Sequence, residues 1–181
     1  MDDVLGIQRD DWEARMEAMG YPRYRARQVW HWIYRRRVVD WAAMRNLPAE
    51  LRARLAAGFC LRPVDVRAES GTSGQTVKLL MGLADGDAVE TVVIPAGDRA
   101  TVCVSSQVGC RFGCAFCASG KGGFIRNLAS GEIVGQVLAA AERIGDLPDN
   151  IVFMGMGEPL DNYEAVLAAV RILNDPEGLA I

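Results

Sequence analysis

Apolar residues recur at helical spacing through the first sixty positions of the chain. Trp12 and Met16 fall on one helical face, and the segment "RYRARQVWHWIYRR" continues the same period with its apolar residues inward. Two shorter helices follow: Asp40 is placed to cap the first, while the second begins at Pro48 and ends near Gly58. The pattern therefore predicts a small all-helical domain at residues 1–60.

After this region the pattern changes to short β-branched runs separated by turn residues. The runs are "VDVRAE", "QTVKLLMGL", "AVETVVI" and "ATVCVSS", and the breaks between them are rich in Gly, Ser, Asp and Pro. Runs of this length with tight breaks are typical of antiparallel strands. Residues 61–98 therefore predict an antiparallel β extension that leads into one further strand.

Beyond Ser106 strands and helices alternate. A strand and a loop precede a helix from about Ser130 to Ile144, and the apolar run "NIVFMG" predicts a parallel strand covered on both faces before a second helix. Residues 99–181 would thus form two β/α units, and the predicted fold class is α+β followed by α/β. Two units neither close a barrel nor make a stable open sheet. We therefore expect a further half of the domain to be missing or supplied by another chain.

Composition adds an asymmetry of charge to this picture. The chain has 181 residues, 50% of them apolar, and a net charge of −3. Residues 21–62 contain ten arginines against Asp40 and Glu50, so this segment carries +8 and the remainder −11. Arginines interleaved with aromatic residues offer charge for phosphates and flat faces for unstacked bases. A solvated helix surface over an aromatic core explains the same pattern equally well.

The termini and cysteines indicate a compartment. No apolar run approaches the roughly 18 residues of a membrane span, and the start, "MDDVLGIQRDDWE", lacks the features of a secretory signal. These features predict a cytoplasmic protein with no membrane partner. Because thiols stay reduced in the cytoplasm, an odd total of five cysteines indicates metal binding or catalysis rather than disulfides.

Three of the cysteines, Cys110, Cys114 and Cys117, have CxxxCxxC spacing on a glycine-rich loop after a strand. Structural zinc needs four ligands, usually as two separated pairs, and the remaining His and Cys residues lie in distant segments. An iron–sulfur cluster held by three thiolates leaves one iron free to bind a small molecule. The alternative, three free thiols in a core, is disfavoured by the neighbouring Arg111 and glycines.

This cysteine loop, with Phe116 before its last cysteine, resembles that of the radical S-adenosylmethionine (SAM) superfamily. The stretches "ETVVIPAGDRATVCVSSQVGCRFGCAFCASGKGGFIRNLASGEIVGQV" and "MGMGEPLDNY" resemble more narrowly the adenosine methyltransferases of RlmN/Cfr type. The resemblance extends to the N-terminal "YPRYRARQVWHWIYRRRVVDWAAMRNLP". It implies the first part of a partial TIM-like barrel. It also implies methylation of C2, or in the resistance branch C8, of an adenosine in 23S rRNA, with tRNA as a further substrate of C2 enzymes.

The resemblance implies two cofactors. Cys110, Cys114 and Cys117 would ligate a 4Fe-4S cluster that an electron donor such as flavodoxin reduces, and the free iron would chelate SAM, with Phe116 among the cofactor-binding residues. Gly157 and Glu158 match the family segment that receives the SAM ammonium. The chemistry suits this role, since glycine lets the backbone approach the ligand closely and a carboxylate accepts a cationic nitrogen. Glu158 has an alternative role as a helix-start acid before a proline.

Two further positions match catalytic residues of the family. Glu90 matches the position assigned as proton acceptor, although its period alone equally predicts an outward-facing strand residue. Cys103 matches a cysteine of the covalent chemistry, although a lone cysteine in an apolar strand is more often a core residue. The resemblance implies a ping-pong mechanism in which one SAM methylates a cysteine and a second SAM generates the radical that activates this methyl group. A second cysteine then resolves the protein–RNA adduct.

The chain departs from the family in one respect. The methyl-accepting cysteine of such enzymes lies well beyond the position of Ile181, so the chain is similar to their N-terminal portion and we expect it to be inactive alone. Two hypotheses remain. Either this is half of a methyltransferase that needs the rest of the barrel, or it is a non-catalytic module that binds RNA and at most holds a cluster.

Overall fold

The computed structural model describes residues 2–72 and 74–181. Its N-terminal elements are β1 (Asp2–Asp3), a 3-10 turn (Val4–Gly6), α1 (Arg9–Ala18), α2 (Tyr24–Trp30), a π-helical turn (His31–Arg35), a 3-10 turn (Trp41–Ala43), α3 (Ala49–Gly58) and β2 (Phe59–Cys60). The predicted apolar face is confirmed, since Trp12, Met16 and Trp30 are buried. Asp40 caps its turn as predicted, because its carboxylate accepts a hydrogen bond from the Ala42 amide.

The rest of the chain contains seven strands and two helices within the described residues. They are β3 (Val64–Gly71), β4 (Val77–Leu83), β5 (Ala88–Ala96), β6 (Arg99–Cys103), β7 (Gln107–Gly109), β8 (Phe124–Asn127), α4 (Ser130–Ile144), β9 (Asn150–Val152) and α5 (Tyr163–Leu173). Strands β3 to β6 form an antiparallel meander, and β9 joins it in parallel beside β6. The predicted antiparallel strands and the first parallel pair therefore share one five-stranded sheet.

Alternation along β5 assigns the two faces of this sheet. Val89, Thr91 and Val93 are buried beneath α4, whereas Glu90 is partly exposed on the opposite face. Helix α5 packs beside α4. In the part of the chain that is described, no helix is long and apolar enough to cross a membrane.

Two local differences from the sequence-based expectation occur after β6. The loop predicted between the strand after Ser106 and α4 contains a further strand, β8, which forms a ribbon with β7 in which Val108 is paired with Arg126. A strand with an arginine at its centre shows little apolar alternation, and this arginine is held by Glu132 and Asp85. The expectation that "NIVFMG" is covered on both faces is wrong, because Ile151, Val152 and Phe153 are only partly buried and Met154 is 80% exposed.

Candidate functional site

The cysteine loop, residues 110–123, projects from the β7–β8 ribbon. The Cys110 amide donates a hydrogen bond to the Gly123 carbonyl oxygen at 3.0 Å, which closes the base of the loop. Gly109 has a φ of +73°, and a Cβ at this position would collide with the same carbonyl oxygen. A Cβ on Gly120 would lie 2.7 Å from a backbone oxygen of the loop. Glycine is thus required on both sides of the three cysteines.

The three thiols differ in environment. Cys110 is buried, Cys117 is partly buried and Cys114 is exposed, and all are free. Hydrogen bonds from the backbone and the hydroxyl of Ser119 lower the pKa of the Cys117 thiol below its ordinary value, which favours the thiolate needed for metal ligation. Because Cys114 is exposed and Cys117 is only partly buried, the alternative that all three thiols lie in a core is wrong.

Among the described side chains, no group of three or more His, Cys, Asp or Glu residues converges on a single metal ion. The ligands of a 4Fe-4S cluster bind separate iron atoms, so they do not need to meet at one point. Three thiol donors on one short, open loop fit such a group by their chemistry.

Glu90 and Cys103 lie on the sheet face opposite α4. Cys103 is paired in register with Val92, two residues from Glu90, so the two candidate side chains are diagonal neighbours on adjacent strands. Glu90 is also held by an ion pair with Lys78 of β4, in which Nζ lies 2.8 Å from Oε1. The structure therefore brings both predicted catalytic residues together on one surface.

The Cys103 thiol is 8% exposed. Burial raises its pKa above the ordinary value, and a hydrogen bond from the Met154 backbone to the sulfur opposes this effect without cancelling it. Burial therefore favours the neutral thiol at Cys103, whereas hydrogen bonds favour the thiolate at Cys117.

The "GMGEP" segment runs directly against the chain that follows β6. The Met156 carbonyl oxygen accepts hydrogen bonds from the amides of Ser106 and Gln107. Gly157 has a φ of +97°, and a Cβ there would lie 2.5 Å from the Cβ of Gln107. Packing against Gln107 and the positive φ therefore require glycine at position 157, whether or not this segment binds SAM.

Glu158 fulfils the alternative role considered for it. One oxygen of its carboxylate accepts a hydrogen bond from the Leu160 amide at 3.0 Å and caps the 3-10 turn Pro159–Asn162. A carboxylate has two oxygens and can accept a second donor, so binding of the SAM ammonium at Glu158 stays a prediction. Phe116 is 94% exposed on the cysteine loop.

Sequence analysis missed the buried polar residues that connect these parts. The Ser105 hydroxyl donates to the Glu90 carbonyl oxygen at 2.6 Å and accepts from the Met156 amide at 2.9 Å. The side chain of Gln136, fully buried in α4, accepts from the Ser105 amide and from the Thr91 hydroxyl. A glutamine within the apolar stripe of the helix "SGEIVGQVLAAAERI" was the available signal.

The basic segment at residues 21–62 is divided between structure and surface. Trp30, Tyr34 and Trp41 are buried, as expected if the aromatic residues form the core of the helical part. Tyr24 is 54% exposed, with the Arg25 guanidinium 4.9 Å from its ring centroid. Four arginines of this segment form neither a hydrogen bond nor an ion pair with the described residues through their side chains: Arg27, Arg36, Arg37 and Arg45.

Two family models match the chain. One, described as "Ribosomal RNA large subunit methyltransferase N-terminal domain", matches residues 2–61, and the other, "Radical SAM superfamily", matches residues 104–181. Together they cover more than half of the sequence and include all three cysteines of the loop.

Curated relatives agree with these models. The "Dual-specificity RNA methyltransferase RlmN" of Nitratidesulfovibrio vulgaris is 47% identical over 191 residues, which cover 99% of this chain and 52% of that protein. The protein of the same name from Acidiphilium cryptum is 43% identical, with 99% and 49% covered. The chain therefore spans about half the length of the curated relatives it matches.

A solved structure has the same fold. The crystal structure of a radical SAM methyltransferase from Sphaerobacter thermophilus superimposes with a TM-score of 0.92 at 49% identity, covering 99% of this chain and 54% of that one. This likeness confirms the predicted fold class: a helical part, antiparallel strands and the first units of a partial barrel.

Proposed function

Because this chain belongs to the RlmN-type family of radical SAM RNA methyltransferases, of which it represents the N-terminal portion, we propose that it is half of an enzyme that methylates C2 of adenosine in 23S rRNA and tRNA. The observation that supports the proposal most directly is the position of the cysteine loop. Three free thiols stand on one loop, and the sheet that leads into it carries Glu90 and Cys103 on a single face.

The residues divide between two cofactors and a substrate. Cys110, Cys114 and Cys117 would hold a 4Fe-4S cluster, which, when bound and reduced by a donor such as flavodoxin, supplies the electron that cleaves SAM. Gly157 would let the backbone approach SAM, and the carboxylate of Glu158 would accept its ammonium. Phe116, exposed on the loop, would cover the bound cofactor.

Glu90 and Cys103 would act on the adenosine. A half-exposed carboxylate can accept a proton from the substrate, and Lys78 keeps it turned along the sheet face. Cys103 would be the second cysteine, which resolves the protein–RNA adduct; burial raises the pKa of its thiol, so a base would have to take its proton as it attacks. In this ping-pong mechanism the methyl-carrying cysteine comes from the other half of the barrel. We place the enzyme in the cytoplasm, where its RNA substrates are.

A chimera tests this function. The present chain is joined to the C-terminal half of the Nitratidesulfovibrio vulgaris relative, reconstituted with iron and sulfide, and incubated with SAM, a reductant and either a 23S rRNA fragment or tRNA. Mass spectrometry then identifies the methylated nucleoside. We expect 2-methyladenosine; 8-methyladenosine, or no product with a fully loaded cluster, would contradict the proposal.

Two variants of the chimera separate the roles of the catalytic residues. Cys103→Ala should accumulate covalent protein–RNA adduct, because nothing resolves it, whereas Glu90→Gln should form little adduct or product. If both variants match the parent chimera, the assignments are wrong.

The unpartnered arginines support the RNA-binding part of the proposal. Replacement of Arg36 and Arg37 by Gln should weaken binding of an RNA fragment by the present chain. It should also reduce the slope of log affinity against log salt by about 0.7 for each phosphate that the protein no longer neutralises. The alternative is a non-catalytic RNA-binding module. It would be favoured if the parent chimera forms no methylated product and its RNA affinity is unchanged by Cys103→Ala.

A further inference from the structure

We propose that Arg111 is a positioning residue that fastens the cysteine loop to the segment carrying Gly157 and Glu158. The inference deepens the proposed function and rests on it. Arg111 directly follows Cys110, and its Nε lies 2.8 Å from Oδ2 of Asp161. Its guanidinium also lies over the Phe124 ring of β8, 4.1 Å from the ring centroid.

Asp161 is a fixed anchor for this contact. Its Oδ2 also accepts a hydrogen bond from Nε2 of Gln107 at 2.7 Å, and Gln107 is fully buried. The other side-chain atom of Gln107, Oε1, accepts from the Glu158 amide at 3.0 Å. Asp161 itself stands three residues beyond Glu158, and its amide donates to the Glu158 carbonyl oxygen. The anchor therefore moves with the segment predicted to bind SAM.

The contact is the principal tether of the cysteine loop. Over the described residues from Arg111 to Gly122, no other side chain forms an ion pair or hydrogen bond with a residue outside the loop. The backbone hydrogen bonds in this stretch, such as Cys117 to Cys114, are internal. A loop of this length held only at its base would sample many conformations.

The chemistry of arginine suits this position. Its planar guanidinium pairs with a carboxylate and stacks on an aromatic ring at the same time, which lysine does not reproduce. It also places a positive charge one residue from Cys110, where it would favour the reduced, more negative state of a cluster held by the loop. Loss of Arg111 should therefore loosen the loop and shift its redox chemistry.

The first test uses the protein without iron. Four forms are compared with the wild type by the rate of tryptic cleavage after Lys121, measured by mass spectrometry: R111Q, D161N, the double variant R111Q/D161N, and R62Q. Arg62 is the matched control, since it forms an exposed ion pair with Glu142 at 2.6 Å outside the loop. We expect cleavage to be about five-fold faster in R111Q and in D161N than in the wild type, with no further increase in the double variant and no change in R62Q. Unchanged cleavage in R111Q, or an equal increase in R62Q, would overturn the proposal.

The second test measures the reconstituted cluster. R111Q removes the positive charge and should lower the midpoint potential, whereas D161N removes the negative partner and should not lower it, although it releases the loop equally. Relative to R111Q, R111K should bring the midpoint potential closer to the wild-type value than it brings the rate of tryptic cleavage. Equal potentials in R111Q and the wild type would contradict the electrostatic part. If the wild type takes up no iron, the proposed function fails, and the cleavage rates still decide whether Arg111 tethers the loop.

Discussion

At the residue scale, the thiols of this chain are set apart by their surroundings. Hydrogen bonds from Ser119 lower the pKa of Cys117, whereas burial raises the pKa of Cys103. Since the thiolate is the nucleophile, we predict that iodoacetamide at pH 7.5 modifies Cys117 well before Cys103. Peptide mass spectrometry over a time course gives the order.

Ser119→Ala provides the matched variant for this prediction. It removes the hydroxyl contribution and leaves the backbone contribution, so Cys117 should react more slowly while Cys103 is unaffected. Modification of Cys103 first, or of both thiols at one rate, would show that their environments are not as described.

Asp3 gives the stability of the protein a pH dependence. Burial is the main cause that raises its pKa from 3.8 to about 6, and the nearby Glu132 adds to it, while a hydrogen bond from Leu5 opposes the shift. A raised carboxyl pKa favours the neutral form in the folded state. Stability from this group is therefore complete below about pH 4 and is lost as the pH rises through 6.

Asp3→Asn cannot ionise and should remove this dependence. Its free energy of unfolding relative to the wild type should increase by up to about 3 kcal/mol between pH 4 and pH 8, the value of a two-unit shift. Urea denaturation at both pH values gives the difference. A constant difference across this range would mean that Asp3 ionises freely in the folded protein.

At the element scale, the "GMGEP" segment is locked against the chain after β6. Gly157→Ala must place a Cβ against Gln107 and hold alanine at a φ of +97°, so we predict a loss of about 2–4 kcal/mol of unfolding free energy. Gly145→Ala is the matched control. Gly145 has a φ of +87° with no atom within 4 Å of the added Cβ, so only about 1 kcal/mol should be lost. Equal losses in urea denaturation would show that the segment is not packed as described.

The elements also show what a sequence can predict. Helix α4 occurs at the predicted residues, Ser130 to Ile144, because its apolar period is regular and Glu132 marks its start. Strand β8 was missed because the charge of Arg126 interrupts the alternation, and only folding brings Asp85 and Glu132 to it. Tertiary partners of this kind leave no local signal.

The same limit applies to the site. Cysteine spacing and family resemblance identified the loop, Glu90 and Cys103, whose motifs are contiguous. The connecting residues Gln136 and Asp161 bind partners more than thirty residues away in sequence. The apolar stripe of α4 marks Gln136 as buried, but no local pattern identifies the partners of either residue. The division into residues 1–60, 61–98 and 99–181 stays a prediction, although one sheet crosses its second boundary.

At the scale of the whole molecule, the residues with candidate roles lie in three parts of the described chain. The helical part carries unpartnered arginines, the sheet carries Glu90 and Cys103, and the loop after it carries three thiols. The proposed methylation depends on an iron–sulfur centre bound to that loop. The central claim is therefore that the loop binds a cluster with one iron open to SAM.

Anaerobic reconstitution tests this claim most directly. The chain is loaded with iron and sulfide, its iron is counted, and the EPR spectrum of the reduced protein is recorded with and without SAM. We predict about four irons per chain, a spectrum that SAM changes, and loss of both in Cys110→Ala. An iron count near zero, or one that Cys110→Ala leaves unchanged, would contradict the account.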